Sequence, residues 1–137
     1  PFVDLDQVLG RARERLDAGD PERAVEILEP AVSTAPRSIE IRKLFDRACI
    51  ALRESIYRND LPPDRIPVLA RPLEQMLGEP LTPEEGFLLS RVDGTWDLKS
   101  IIGISPLGEL EALRILKRLR DKGIISMKQM SVASRRA

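Results

Sequence analysis

The amino-acid sequence predicts a mainly α-helical protein built from two small modules, of which the second carries a minimal two-stranded sheet. Apolar residues recur at helical spacing over several long segments. Capping residues and breakers, above all Gly19-Asp20-Pro21 and Thr82-Pro83-Glu84-Glu85, separate these segments. Only two short stretches, at 65–70 and 124–130, are typical of β-strands. These observations favour helical layers with little sheet.

The N-terminal half predicts three helices, over about residues 5–18, 21–35 and 39–57. Asp4 or Asp6 can cap the first helix. Gly19-Asp20-Pro21 then supplies a C-terminal glycine, a capping aspartate and a proline at the first helical position. Ser38 caps the third helix. Pro30 falls inside the second helix and is expected to kink it or loosen its last turn.

The C-terminal half combines short helices with the two strand-like segments. Thr82 begins a helix that runs to about Val92, with a capping box closed by Glu85. Asp97 caps a short helix. Ser105-Pro106 is expected to begin the last long helix. The remaining predictions are a strand at 65–70, which Pro67 confines to a sheet edge, a short helix at 73–77, the end of the long helix at 122–123, and a strand at 124–130.

The module boundary is placed in the polar, proline-rich break at 59–63. The predicted division is a first module at 1–60 and a second at 61–130. Residues 131–137 form a polar, basic segment with no apolar side to bury, and they are expected to be a flexible tail.

The composition disfavours most catalytic and metal-binding chemistry. The chain has no histidine and a single cysteine, whereas imidazole is the commonest general base and transition-metal ligand. Cys49 lies in an apolar helical context, which predicts a structural thiol. We therefore expect no enzyme activity, no cofactor and no metal site.

Charge and hydropathy limit the partners and the location. The chain has 22 basic and 22 acidic residues, and this balance disfavours bulk nucleic acid or an anionic membrane as the main partner. No apolar segment approaches the length of a membrane span, and no signal peptide is visible, so a cytoplasmic location is expected. The chain begins at Pro1 without methionine, which suggests a piece of a larger protein.

The N-terminal half resembles a tetratricopeptide repeat (TPR). The residues that fit the pattern are small or apolar positions of the hairpin and its closing proline: Ala12, Ala24, Leu28, Ala31 and Pro36. Small residues let two antiparallel helices approach closely. Arg15 departs from the pattern, which expects a bulky aromatic there, and only one repeat is present. The resemblance implies a TPR-like three-helix module whose third helix is a cap.

TPR proteins bind peptides and proteins on the concave face formed by the first helix of each repeat. Carried over to this sequence, the resemblance implies that partners contact Asp6, Leu9, Arg13 and Asp17. The alternative is that these residues are merely solvated helix positions. Because a lone hairpin covers its own faces poorly, self-association through the uncovered repeat face is a further possibility.

The C-terminal half resembles a winged-helix module. From Thr82 to Met127 the order is a helix, Asp93-Gly94, an aromatic residue, a short helix, a long helix and Lys122-Gly123 before a strand. This order is similar to the small domains of PATAN-type bacterial signalling proteins, and more loosely to PqqD-like peptide-recognition domains. The resemblance implies a small winged-helix-like α+β fold in which the last strand pairs with residues 65–70.

These observations predict a non-catalytic protein–protein interaction module, or scaffold, of a bacterial signalling or regulatory protein. A partner could bind a helix face, or add a strand to the edge near Met127. Trp96 follows the Asp93-Gly94 turn and is expected to pack over the helical core. Its alternative role is an exposed anchor for a partner.

The alternative function is a DNA-binding winged-helix transcriptional regulator. The basic residues of the long helix would then contact DNA: Arg114, Lys117, Arg118 and Lys122. Against this, the helix begins with Glu109 and Glu111, which would face phosphate. The basic residues are also explained by their position near the negative end of the helix dipole.

Overall fold

A computed structural model describes residues 4–76, 78 and 80–128, and it confirms a mainly helical fold with a small antiparallel sheet. The chain divides into two compact units, Pro1–Ser55 and Ile56–Ala137. The division falls inside a helix, five residues before the predicted break at 60. The elements in chain order are α1 (Leu5–Asp17), α2 (Pro21–Thr34), α3 (Ile39–Asn59), β1 (Ile66–Leu69), α4 (Leu73–Met76), α5 (Pro83–Ser90), α6 (Leu98–Ile104), α7 (Glu109–Asp121) and β2 (Ile125–Lys128).

In the first unit, α1 and α2 form a hairpin joined by a tight turn. Gly19 adopts a φ of 79°, which favours glycine, and its N–H donates to the Leu16 carbonyl. The Asp20 N–H donates to the Arg15 carbonyl, which completes a Schellman motif. The Asp20 carboxylate then accepts the Arg23 N–H as the cap of α2. One residue thus ends the first helix and begins the second.

The core of the first unit consists of the apolar residues that recur along its helices. α2 continues through Pro30 to its end at Thr34, whose hydroxyl donates to the Pro30 carbonyl at 2.8 Å. α3 begins after Ser38, whose Oγ accepts the Ile41 N–H. The buried residues of this unit are Leu9, Ala12, Ala24, Val25, Leu28, Ala31, Ile41, Leu44, Ala48 and Leu52.

In the second unit, α5 begins with the predicted capping box. Thr82 Oγ1 accepts the Glu85 N–H, and Glu85 Oε1 accepts the Thr82 N–H. Only 3% of Glu85 is exposed. The core of this unit is apolar, and its fully buried large residues are Ile56, Leu61, Leu88, Leu98, Ile101, Leu113, Leu116, Leu119, Ile124 and Ile125.

The sheet pairs β1 with β2 in antiparallel register, as the winged-helix resemblance implied for these two segments. A Schellman motif at the end of α7 turns the chain into β2. Gly123, with φ 74°, donates to the Arg120 carbonyl, and Ile124 donates to the Leu119 carbonyl. The side chains of Leu119 and Ile124 are both fully buried, and only residues 122–124 separate α7 from β2.

One helix start was predicted wrongly. α7 begins at Glu109 with Gly108 as its cap, not at Ser105-Pro106. The Ser105 hydroxyl accepts the Leu107 N–H, as a cap would, but Gly108 is extended with φ −63° and ψ 156°, so the helix starts only after it. The predicted tail at 131–137, and the end of the predicted strand at 129–130, lie outside the described residues.

Candidate functional site

The most promising binding surface is an open groove beside β2 in the second unit. Its volume is about 580 Å³. It is lined by residues of β2, of the end of α3, of the segment before β1 and by one residue of α7. The lining residues are Asn59, Asp60, Pro62, Arg65, Arg120, Ile125, Ser126 and Met127.

The hydrogen bonds of the sheet decide which backbone groups of β2 bond to β1 and which point to its outer edge. The Ala70 N–H donates to the Ile124 carbonyl at 2.9 Å, so these two residues form a hydrogen-bonded pair. Hydrogen-bonded and non-hydrogen-bonded pairs alternate along an antiparallel ladder. In the observed register, Ser126 and Lys128 therefore bond to β1, whereas Ile125 and Met127 direct their N–H and C=O groups outward.

The two outer edges of the sheet differ. Pro67 lies opposite Met127, in a non-hydrogen-bonded pair, so its nitrogen points to the outer edge of β1. Because proline has no N–H, that edge lacks a donor that an added strand would need. The outer edge of β2 keeps both donors, those of Ile125 and Met127. Within the described residues, no backbone hydrogen bond joins this edge to another segment.

The charges along the groove are mostly basic. Arg120 Nη1 lies 3.5 Å from Asp60 Oδ1 and 3.6 Å from Asp121 Oδ1, which are long ion pairs at the surface. Arg65 also lines the groove, and Lys128 is exposed at the end of β2. Arg120 and Asp121 are both exposed, and an exposed ion pair contributes little stability, so a carboxylate of a partner can compete for Arg120.

The two residues predicted as anchors in this unit are both accessible. Met127 is half-buried and lines the groove. Trp96 is 45% exposed, and the expectation that it packs over the core is therefore wrong. It follows a turn in which the Asp93 carboxylate accepts the Thr95 N–H, and Gly94 adopts a φ of 86°.

The predicted binding face of α1 is only partly available. Asp6, Arg13 and Asp17 are exposed, and at 100° per residue they share one side of the helix. Leu9 is only 5% exposed. Its assignment to a binding surface is corrected, since its side chain belongs to the core of the first unit. Around the helix, Leu9 lies next to the exposed stripe of Asp6, Arg13 and Asp17, at the boundary of the apolar face.

The basic residues of α7 are partly engaged within the protein. Lys117 Nζ lies 3.4 Å from Asp121 Oδ2, and Lys122 Nζ lies 3.4 Å from Glu85 Oε2. Arg114 is half-buried, and Arg118 is exposed. At the other end of the helix, Glu109 accepts a hydrogen bond of 2.6 Å from the Tyr57 hydroxyl. α7 therefore has an acidic first turn and a basic end.

The carboxylates whose pKa values shift serve structural roles. Hydrogen bonds from the backbone of Thr82 lower the pKa of Glu85. The hydroxyl and then the N–H of Ser100 lower the pKa of Asp97, the cap of α6. Both groups are ionised at neutral pH. The described part of the chain contains no group of three or more Cys, Asp and Glu side chains placed to hold a metal ion.

Of the residues that line the groove, the sequence analysis predicted only Met127 as a partner contact, and it missed the three charged ones, Asp60, Arg65 and Arg120. They are far apart along the chain, and each is an ordinary solvated charge in its own segment. The only signal that could have found them is the predicted pairing of the two strands, which brings the segment before β1 close to β2.

No helix in the described part of the chain is both long and apolar enough to cross a membrane. Comparison with protein-family models, with curated proteins and with solved structures finds no match to this chain.

Proposed function

We propose that this chain is a non-catalytic protein–protein interaction module that binds an extended peptide segment of a partner as an added strand on β2. The observation that carries this proposal is the outward direction of the N–H and C=O groups of Ile125 and Met127 beside an open groove. An added strand would satisfy these groups, and the groove would take alternate side chains of the peptide.

The groove favours a peptide with acidic residues. Arg65, Arg120 and Lys128 supply three positive charges at or near the groove, against the carboxylates of Asp60 and Asp121 beside Arg120. The half-buried Met127 offers an adaptable apolar contact. The peptide we propose therefore alternates apolar and polar positions and carries at least one carboxylate that reaches Arg120.

The wider role is part of the same proposal. We assign the chain to a cytoplasmic signalling or regulatory protein of a bacterium, with a TPR-like first unit and a winged-helix-like second unit. The hairpin of α1 and α2, with Ala12, Ala24 and Ala31 fully or almost fully buried, supports the first likeness. The pairing of β1 with the strand that follows α7 supports the second.

Two proline substitutions test strand addition. Met127→Pro removes an outward N–H from β2, and Leu69→Pro removes an outward N–H from β1, so both leave the bonds between the strands intact. Linear peptides selected from a displayed library on the full chain are the probe. We expect Met127→Pro to weaken their binding at least about tenfold, which corresponds to one lost hydrogen bond to the backbone. Leu69→Pro is the matched control and should bind like the parent.

The outcomes separate the proposal from its alternatives. Equal binding by Met127→Pro and the parent would overturn strand addition. Loss of binding in Arg13→Glu alone would move the site to the exposed stripe of α1. The DNA alternative predicts binding of a labelled DNA duplex that weakens steeply between about 50 and 150 mM salt and that Arg118→Glu abolishes. We expect no such binding, because the first turn of α7 carries Glu109 and Glu111, which would face phosphate.

A further inference from the structure

The outer edge of β2 offers its backbone groups over a short length. At its start, both backbone groups of Ile124 are already used: its N–H donates to the Leu119 carbonyl, and its carbonyl accepts the Ala70 N–H. Beyond this residue, the outward groups are those of Ile125 and Met127. Within the described residues, an added strand can therefore form backbone hydrogen bonds with these two residues of β2 only.

This length limits the part of a partner that is read to three residues. In an antiparallel pairing, one peptide residue bonds to Met127, and the residue two positions later bonds to Ile125. The peptide residue between them directs its N–H and C=O away from β2. Because side chains alternate along a strand, the two bonded residues share the face of Ile125 and Met127, whereas the middle residue shares the face of the exposed Ser126. The edge thus reads two peptide side chains, two positions apart.

The two positions differ in the apolar surface that they offer. Ile125 is only 2% exposed, so its side chain presents little surface to a peptide residue paired with it. Met127 is half-buried and lines the groove. Its flexible side chain can pack against an apolar residue directly opposite. An apolar peptide residue is therefore favoured opposite Met127 and not opposite Ile125.

The two positions also differ in their distance from the arginines of the groove. The Gly123 N–H donates to the Arg120 carbonyl, and this turn brings Arg120 close to the start of β2. Arg120 and Ile125 both line the groove, and the Arg120 side chain is 40% exposed. Arg65 precedes the first residue of β1, which pairs with the far end of β2. A carboxylate opposite Ile125 is therefore favourably placed to reach Arg120.

We infer that this edge recognises an apolar residue followed, two positions later, by Asp or Glu, in a segment that runs antiparallel to β2. This inference rests on the proposed function and adds the order and spacing of the two residues that are read. An antiparallel partner continues the pairing of the sheet, and antiparallel pairing is slightly more stable than parallel pairing. A parallel partner would require the reverse order, because the residue near Arg120 would come first.

Synthetic peptides test the order of the two residues. The probe is a seven-residue peptide with blocked ends, TSVTETS, in which valine precedes glutamate by two positions. The matched control, TSETVTS, has the same composition and charge. Titration of the full chain, followed by the amide NMR signals of Ile125 and Met127, gives both Kd values. We expect TSVTETS to bind at least about fivefold more tightly, because the control loses the ion pair with Arg120 and the apolar contact with Met127.

Methylation of single peptide nitrogens tests the three-residue length. N-methylation of the valine or of the glutamate removes an N–H that bonds to β2, and it should weaken binding at least about tenfold. N-methylation of the threonine between them should change the Kd by less than about threefold, because that N–H points away from β2. Arg120→Glu should remove the advantage of TSVTETS over TSETVTS. Arg118→Glu makes the same change on α7 outside the groove and should keep that advantage.

The outcomes separate this inference from the proposed function. Equal or tighter binding of TSETVTS, or no detectable binding of TSVTETS, would overturn the order of the motif. Loss of binding on methylation of the middle threonine would overturn the assigned pairing with Ile125 and Met127. Strand addition itself is decided separately, by the response of the library-selected peptides to Met127→Pro.

Discussion

Lys122 Nζ lies 3.4 Å from Glu85 Oε2, although 37 residues separate the two in the chain. The contact joins the first turn of α5 to the end of α7. Each charge is also placed favourably for its own helix dipole, with the carboxylate at a helix start and the ammonium at a helix end. The side chain of Glu85 is 5% exposed and that of Lys122 is 48% exposed. A buried carboxylate is thus held by the Thr82 N–H and by a partly solvated cation.

Protonation of the Glu85 carboxylate is expected to make the folded protein less stable in acid. The hydrogen bond from the Thr82 backbone lowers the pKa of Glu85 below its usual 4.5 in the folded state. The resulting stabilisation is fully present above pH 4.5 and is lost as the pH falls through the lower, folded pKa. Glu85→Gln keeps the shape of the capping box and removes this titration. It should cost about 1 kcal/mol at pH 7, and its stability should fall less between about pH 5 and 3.

Urea unfolding at several pH values measures this difference. Glu84→Gln is the matched control, because Glu84 is an exposed residue of the same helical turn. Asp97 also has a lowered pKa, so some acid sensitivity should persist in Glu85→Gln. Parallel pH profiles for the parent and Glu85→Gln would show that the capping carboxylate is not the titrating group.

Replacing either of two glycines by alanine is expected to change the free energy of unfolding, in opposite directions. Gly123 ends α7 with φ 74°, a conformation that costs alanine about 1 kcal/mol. Gly103 lies inside α6, its φ is not positive, and an added Cβ meets no atom within 4 Å. Gly103→Ala should therefore raise the free energy of unfolding by about 0.5 kcal/mol. Gly123→Ala should lower it by about 1 kcal/mol. Denaturant unfolding gives both values, and a shift of the same sign in the two variants would contradict the assigned backbone conformations.

Leu28 is fully buried in the first unit. Leu28→Asp would bury an unpaired charge, which costs several kcal/mol, and should unfold that unit. Ser33→Asp adds the same side chain at an exposed position of the same helix and should leave the fold intact. Circular dichroism and thermal unfolding compare the two. If Leu28→Asp melts at the temperature of the parent, the packing of the α1–α2 hairpin is wrong.

Trp96 is the single tryptophan of the chain, and its exposure predicts a small structural role. Trp96→Ala should lower the stability by less than about 1 kcal/mol, whereas truncation of the fully buried neighbour in Leu98→Ala should cost about 2–5 kcal/mol. Acrylamide should quench the Trp96 fluorescence of the folded parent efficiently. Weak quenching, or a loss of stability in Trp96→Ala comparable to that of Leu98→Ala, would show that Trp96 is buried in the core.

The sequence by itself determined the number and approximate limits of most helices. Their ends depend on local groups: Asp20 and Asp97 as caps, the capping box at Thr82, and glycines at 19 and 123 that adopt positive φ. Each of these interactions spans five residues or fewer, so the order of residue types is sufficient to predict it. The apolar spacing also identified most of the buried residues, since one face of each helix has to leave water.

Only the tertiary structure decided which side chains near the edge of an apolar face are buried. Leu9 is covered and Trp96 is not, although both are large and apolar, because coverage depends on the neighbouring elements rather than on the residue. In the tertiary structure Gly108, rather than Ser105, is the residue that precedes the first turn of α7. The groove beside β2 depends on register. A shift of one residue would exchange the inward and outward groups of every residue in the strand. Pro67 favours one orientation of β1, but no local feature of β2 fixes which of its residues lies opposite Pro67.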